Sequence, residues 1–582
     1  MAFPTKMKMP VASHNRSQHD LSAPHITTSN FMEFTVAKAM ELAPGQSIDV
    51  YHEEFVRLEP LSVPTFGRAE IRNYSFFVPF RTVWKPWTDF IDDKQHINST
   101  TAQTLTYCPT VKNYYITALL ISSSCSTVVS GDGAYDVKAS NGNKYLFNSF
   151  GRYVYKTLRS LGYAPVFDMR TDVSSYNVSF SAMPLLAYAK VFYDWFFPSA
   201  YSGTDSSVNV AKIFERTGTF DLSQGDMLNI FRMTSVIAYD QDYLTSAWEN
   251  PTQPNDASQS SYFSIQDVNQ GLDTEVSGGG GYMPSLTTSS MGSLSQYALT
   301  ALKALSDYLK RNQMVGSRSI DRYLARFGVK LSSEKLMRSV LINRAVQNIQ
   351  FGDVTSTAST DGATLGDFAG KGISYGDDKY TVDSNGEYGM YLAVSVIVPK
   401  VYNYQGCNRH VLHTTKLDFW TPEFDNVGTQ AIASAEAYVP MEYSSTADAY
   451  SLYSSVYGYI PKYAEYKVPF ASLTGDYLLP SRNVGKDAWN LFRDFSFLFN
   501  ASTSGGAKEP LMHDYAVAVS SDKDQYSRIF MNTNADDDHF NIIHNFDIKS
   551  SFPGKSLYDT YEFEDEDKSN KVSVDINGTT LS

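Results

Sequence analysis

Apolar and polar residues alternate along much of the chain with the two-residue period of half-buried strands. Phe31 to Leu42 and Ile48 to Leu58 read as two such strands, separated by the turn Ala43-Pro44-Gly45-Gln46. Arg68 to Pro79 is a third, ending in Phe76-Phe77-Val78. Tyr391 to Val401 is apolar at successive positions, as a strand buried on both faces should be. Val456 to Val468 adds a strand region interrupted at Pro461, and Ile97 to Asn141, rich in Thr, Ser, Tyr and Asn, adds strands or loop. Strand and turn signals spaced about 8–12 residues apart predict a sandwich or barrel.

Helical spacing is confined to fewer places. Leu185 to Phe197 is apolar and aromatic and predicts a helix stopped at Pro198. Leu294, Ala298, Leu302, Leu305 and Leu309 recur at spacings of three and four and predict a helix over 293–311. Ser319 is placed to cap a second helix with Ile320, Leu324 and Phe327 as its buried stripe and Gly328 as its stop. The first 30 residues read as an extended arm and 31–582 as one domain. Between Tyr201 and Ser290 the composition turns to Ser, Thr, Asp, Asn and Gly, which marks a candidate surface insertion.

Composition sharpens this reading. The chain has 582 residues with 14% aromatics, 40 of them Tyr and 35 Phe, which suits pleated surfaces better than a helical bundle. Three cysteines without a paired spacing exclude a disulfide framework and a thiolate zinc module. Met1 to Ser13 lacks the apolar stretch of a signal peptide, and the most apolar run, Tyr391 to Val398, is too short to span a bilayer. These features predict a protein with no membrane segment, made and retained in the cytoplasm until lysis.

The net charge of −14 argues against general affinity for nucleic acid, but its distribution is uneven. Ten basic residues face three acids between Leu299 and Gln350, a local charge of +7. Within that window Arg318, Arg322 and Arg326 line one helix side, opposite the apolar stripe. Such a row is an ordinary wet face, a subunit contact or a grip on phosphates. Lys6, Lys8 and Arg16 against Asp20 give the arm a charge of +2, suited to an interior position against DNA.

Candidate chemistry is sparse. Gly366 to Gly372 has three residues between its first two glycines where a phosphate loop needs four, and Gly372 stands where Ser or Thr should be. His410 and His413, read as lying on a strand, point to opposite faces and do not share a ligand. Asp536-Asp537-Asp538-His539 reads as a solvated acidic turn in preference to a calcium loop. No catalytic, cofactor-binding or metal-binding residue is assigned.

Five segments, in order, resemble the major capsid proteins of the microviruses, of the gokushovirus kind. Phe76-Phe77-Val78-Pro79-Phe80-Arg81-Thr82-Val83-Trp84-Lys85-Pro86-Trp87 with Phe90 is similar to the family's FFFVPNRLVWDNWxxF. Ala187-Tyr188 through Tyr193-Asp194-Trp195-Phe196 is similar to RAYNxIYNEWF, and Asp242 to Trp248 to DYFTSALPW. Gly316-Ser317-Arg318 with Ile320, Leu324 and Phe327-Gly328-Val329 resembles GGTRYxEILxxHFGV. Tyr457-Gly458-Tyr459 with Tyr463 to Lys467 resembles FGYQERYAEYRY. Pro198 after Phe197, and the segment following Val329, depart from the family's pattern and mark a divergent branch.

The resemblance implies a mainly β protein: an eight-stranded antiparallel jelly roll with long loop insertions and a few helices. It implies a structural protein, not an enzyme, with no cofactor. About sixty copies would close a T=1 shell around circular single-stranded DNA, with 201–290 as the three-fold protrusion. Its implied partners are a small basic DNA-binding protein, a minor capsid or pilot protein and a host surface receptor. Two rival classes share the composition: a trimeric phage tail or receptor-binding protein, and a carbohydrate-binding or carbohydrate-active β protein.

Overall fold

The computed structural model describes residues 16–167, 178–197, 205–247, 337–352, 371–439, 456–493 and 526–554, apart from short gaps within them, and the strand pair 573–574 and 580–581. Its frame is eight long strands: β1 (Ala23–Ser29), β2 (Thr35–Leu42), β3 (Ser47–Leu58), β4 (Arg68–Pro79), β5 (Val340–Gly352), β6 (Lys371–Asp383), β7 (Gly389–Lys400) and β8 (Phe540–Phe552). Ladders run β1–β8–β3–β6 in one sheet and β2–β7–β4–β5 in the other, with every pair antiparallel. That order, two interlocked Greek keys, is the jelly roll expected from the sequence. The C-terminal end of β5 also pairs with β6, Gly352 opposite Lys371, so the two sheets join along one side. A short leading strand, Ser17–Asp20, extends the first sheet along the far half of β8.

Period-two alternation explains the strands. In β8 every second residue from Phe540 to Ser550 is buried and every intervening one exposed. In β3 Ile48, Val50, Val56 and Leu58 turn inward in the same way. Between β2 and β3, Gly45 takes φ of +77°, a left-handed turn position that favours glycine. β7 is buried along nearly its whole length because both of its faces are covered. Tyr391 and Ala393 face the sandwich interior with Ile48, Val50, Phe77, Phe546 and Ile548. Leu392, Val394, Val396 and Val398 belong to a larger core on the opposite face.

That larger core is built from the long β4–β5 connection. Its helices are α1 (Asn113–Leu120), α2 (Ser149–Ser160), α3 (Met183–Val191), α4 (Asp205–Glu215) and α5 (Gln224–Thr234). Helix α3 lies on β4 and β7, α2 on β2, and α1 against α5. Phe34 is enclosed by Tyr188 and Phe196, with ring centroids 5.2 and 4.8 Å away. Each such buried aromatic contributes on the order of 2–3 kcal/mol by loss of water contact.

Several expectations are corrected. The region read as strands or loop does hold short strands, Thr101–Thr104, Thr110–Lys112, Ser126–Val129 and Val137–Lys138, but also α1, whose Ile116, Leu119 and Leu120 make a short buried face within an otherwise Tyr- and Thr-rich segment. The helix expected over 185–197 starts at Met183 and widens to a π turn at Phe192–Phe196 ahead of Pro198. The strand expected to reach Val468 ends at Pro461, because Tyr463 turns with φ of 64° into a 3-10 segment, Ala464–Tyr466. His410 lies on a 3-10 turn, Arg409–Leu412, not on a strand. The helices expected over 293–311 and from Ser319 lie outside the described residues.

Candidate functional site

Of the basic residues singled out in the sequence, Lys6, Lys8, Arg318, Arg322 and Arg326 lie outside the described residues. Arg16 is described and exposed; its guanidinium donates to the Gly45 carbonyl at 2.5 Å and reaches Ser551 Oγ at 3.4 Å. It thereby ties the arm to the β2–β3 turn and to β8. Within 201–290, α4 and α5 are inward-facing: Val210, Ile213, Met227, Ile230 and Phe231 all join the main core.

The acidic turn after Asn534 is exposed at Asp536, as a solvated turn should be, and its carboxylates also make specific contacts. Asp536 accepts from the backbone N–H of Ser149, where α2 begins, at 2.7 Å. Asp537 pairs with Arg152 at 2.8 Å. Lys156 lies 2.9 Å from Asp538 and 2.7 Å from Glu33, whose side chain is only 3% exposed. Burial alone would lower the Lys156 pKa, but these two carboxylates outweigh it and raise the value. One lysine thus fastens α2 to both the β1–β2 corner and the start of β8.

The family-like segments are anchors of the same kind. Trp84 is buried and its indole N–H donates to the Gly218 carbonyl at 3.0 Å. The Tyr188 hydroxyl donates to the Phe34 carbonyl at 2.8 Å and lies 2.6 Å from that of Tyr153. Asp242 accepts from the Leu244 and Thr245 backbone N–H groups at 2.9 and 2.8 Å and holds the buried Arg493. Tyr243 donates to Glu436 at 2.8 Å and packs with Ile432, Tyr457 and Ile460 in a second small core. Arg72 forms a two-pronged ion pair with Asp240, at 2.6 and 2.7 Å, and its hydrogen bonds hold that carboxyl down to about 2.

The sandwich interior holds a polar group that the sequence reading missed. Cross-strand register puts His25, His544 and Glu54 in one row, and Phe546, His52 and Asp378 in the next. His52 Nδ1 is 2.8 Å from Asp378, and its Nε2 is 3.1 Å from His544 Nδ1. Asn73 donates to Glu54 at 2.8 Å from the opposite sheet. Burial pushes the Glu54 carboxyl up to about 7, against the pull of Asn73 and His52, and burial holds His544 well below the usual histidine value. Gly376 leaves room for the end of the Gln347 side chain, which a Cβ there would overlap. The available signal was a histidine and a glutamate at inward positions of otherwise apolar alternations.

Large apolar side chains reach the surface at several points, among them Phe66, Trp420, Phe419 and Met531. Phe66 packs tilted against Trp489 with ring centroids 5.8 Å apart, and Arg528 lies over Phe492 at 3.8 Å. Aromatic and arginine groups of this type are the usual anchors of protein interfaces. A rigid double sheet, long elaborated connections fastened to it by buried ion pairs, and aromatic contact points are the features of the jelly-roll class, to which viral coat proteins belong.

The comparisons place it further. The profile of the phage family described as Capsid protein (F protein) matches residues 7–115 and 157–498, and the chain belongs to that family. Capsid protein VP1 of Bdellovibrio phage phiMH2K is 22% identical over 536 residues, covering 84% of this chain and 87% of the relative. Capsid protein VP1 of Chlamydia phage 1 is 22% identical over 196 residues, 33% of each chain. The chain is therefore a bacteriophage structural protein of the microvirus type, a self-assembling constituent of the virion, and not an enzyme.

Proposed function

We propose that about sixty copies of this chain close a T=1 icosahedral shell around a circular single-stranded DNA genome. The observation that carries this reading is the strand order, a jelly roll in a chain of the capsid family. The double sheet supplies a stiff tile, and the connections at 80–339 and 401–539 supply the edges that meet neighbours. Each contact gains durability because several neighbours hold one subunit at once.

In this reading Lys6, Lys8 and Arg16 face the interior and meet phosphates, and the row Arg318, Arg322 and Arg326 grips DNA or a neighbouring subunit. With a net charge of −14, the shell shares neutralisation of the genome with a small basic DNA-binding protein. A minor capsid or pilot protein and a host surface receptor complete its partners, and assembly takes place in the bacterial cytoplasm. The candidate three-fold protrusion in this reading is the insertion 201–290, of which the described helices α4 and α5 contribute to the core.

Negative-stain imaging of the expressed chain tests the proposal. Closed particles of uniform size are expected. Trimers alone would favour the tail-protein reading, and a monomer that retains or cleaves glycans would favour the carbohydrate reading.

A further inference from the structure

We propose that His52, His544 and Glu54 form a binding site for one divalent transition-metal ion of zinc's kind, enclosed within the sandwich. The three residues come from two adjacent strands far apart in sequence, β3 and β8, and all are buried. One ligand atom from each lies within 4.8 Å of the others. His52 Nε2 and His544 Nδ1 are 3.1 Å apart, and His544 Nδ1 and Glu54 Oε2 are 3.7 Å apart. Ligands set tetrahedrally at zinc's bond lengths stand about 3.3 Å from one another. The cluster brackets that spacing.

Two further observations point to a ligand. The first is the setting of His52. Its other ring nitrogen, Nδ1, lies 2.8 Å from Asp378, the carboxylate–imidazole arrangement that fixes the tautomer and turns Nε2 toward a metal. The second is unmet bonding capacity at the ligand carboxylate: Glu54 Oε1 is buried without a hydrogen-bond partner. The Glu54 carboxylate is 1% exposed, and among the described residues no lysine or arginine pairs with it. A cation would supply the charge that balances Glu54 and would take the place of the hydrogen bond between His52 Nε2 and His544 Nδ1.

Two imidazoles and one carboxylate leave a fourth tetrahedral position for water, as in a histidine–carboxylate zinc set. Among the described residues the three ligands are buried inside the sandwich, which suits a structural role. The ion would staple β3 to β8, the last long strand of the chain. Because the ligands are enclosed by both sheets, loading belongs to folding rather than to the finished shell.

Full-length protein, purified from zinc-containing medium and dialysed against metal-free buffer, should carry about one zinc per chain by elemental analysis. Growth with cobalt(II) should give the visible bands of a tetrahedral cobalt centre. Glu54→Gln, which keeps the side-chain shape, should lower the metal content at least tenfold, as should His544→Gln, whereas His413→Gln should leave it unchanged. If His544→Gln does not fold, Glu54→Gln and the cobalt spectrum of the unaltered chain decide the matter. Metal well below one ion per chain in the unaltered protein would overturn the proposal, leaving a water-filled polar interior. So would a full metal content unaffected by Glu54→Gln.

Discussion

Lys156→Met is the substitution on which the packing account stands most exposed. The ammonium bridges Glu33 at 2.7 Å and Asp538 at 2.9 Å, and the three side chains are 13%, 3% and 17% exposed. Methionine keeps the length and apolar bulk of the lysine stem but removes the ammonium that bridges the two carboxylates. Breaking a buried pair from one side costs about 3–5 kcal/mol. The lower end applies here, because the Asn30 backbone N–H still reaches Glu33 and the Thr28 hydroxyl still reaches Asp538. In a chain this large, about 3 kcal/mol lowers the melting temperature by roughly 2–3 °C. The assay is thermal unfolding of soluble subunits, with particle yield measured in parallel. The double variant Lys156→Met, Glu33→Gln should recover part of the loss, since one of the stranded charges is gone. If Lys156→Met melts within about 1 °C of the unaltered chain, the bridge does not hold α2 to the sandwich as described.

Other outcomes follow from the same contacts. Tyr188→Phe strands the buried Phe34 carbonyl and should destabilise by about 1–3 kcal/mol with little change in shape, checked by unfolding midpoint and circular dichroism. Asp240 has a folded-state pKa depressed from 3.8 to about 2, so its stabilisation is present above pH 3.8 and is lost as pH falls through 2. Asp240→Asn should therefore remove an acid-dependent contribution of order 1 kcal/mol, discounted for the exposure of that side chain, and flatten the melting curve across that pH window. Gly376→Ala should destabilise by driving Gln347 from its place, and adding Gln347→Ala should restore much of the loss; independent, additive effects would contradict the overlap. Replacing Arg318, Arg322 and Arg326 with Gln should impair assembly or genome retention while leaving the subunit folded, and normal yields of DNA-filled particles would remove any special role for the row.

What was legible in the sequence follows the apolar pattern. β3, β4 and β7 stand out because their inward positions are mostly apolar, and Pro44-Gly45 marks the turn between β2 and β3. β5 and β6 do not stand out. Their inward positions include Asn343, Gln347, Gly376 and Asp378, and many of their outward positions are polar, so neither strand alternates in hydropathy. Helices α1 and α2 were hidden by Tyr, Thr and Ser content, which suits strands as well. The family was readable because its segments supply anchors such as Trp84, Tyr188 and Asp242, whose specific hydrogen bonds hold the connections in place. The histidine–glutamate cluster was not, because only cross-strand register brings His52 and Glu54 to His544.

The most direct test of the shell itself is the mass of purified particles emptied of nucleic acid. About sixty copies of a 65.0 kDa chain give roughly 3.9 MDa, and the account predicts one sharp species near that value with icosahedral symmetry in its images. A dominant species of three copies, or an open tube of indefinite mass, would contradict it.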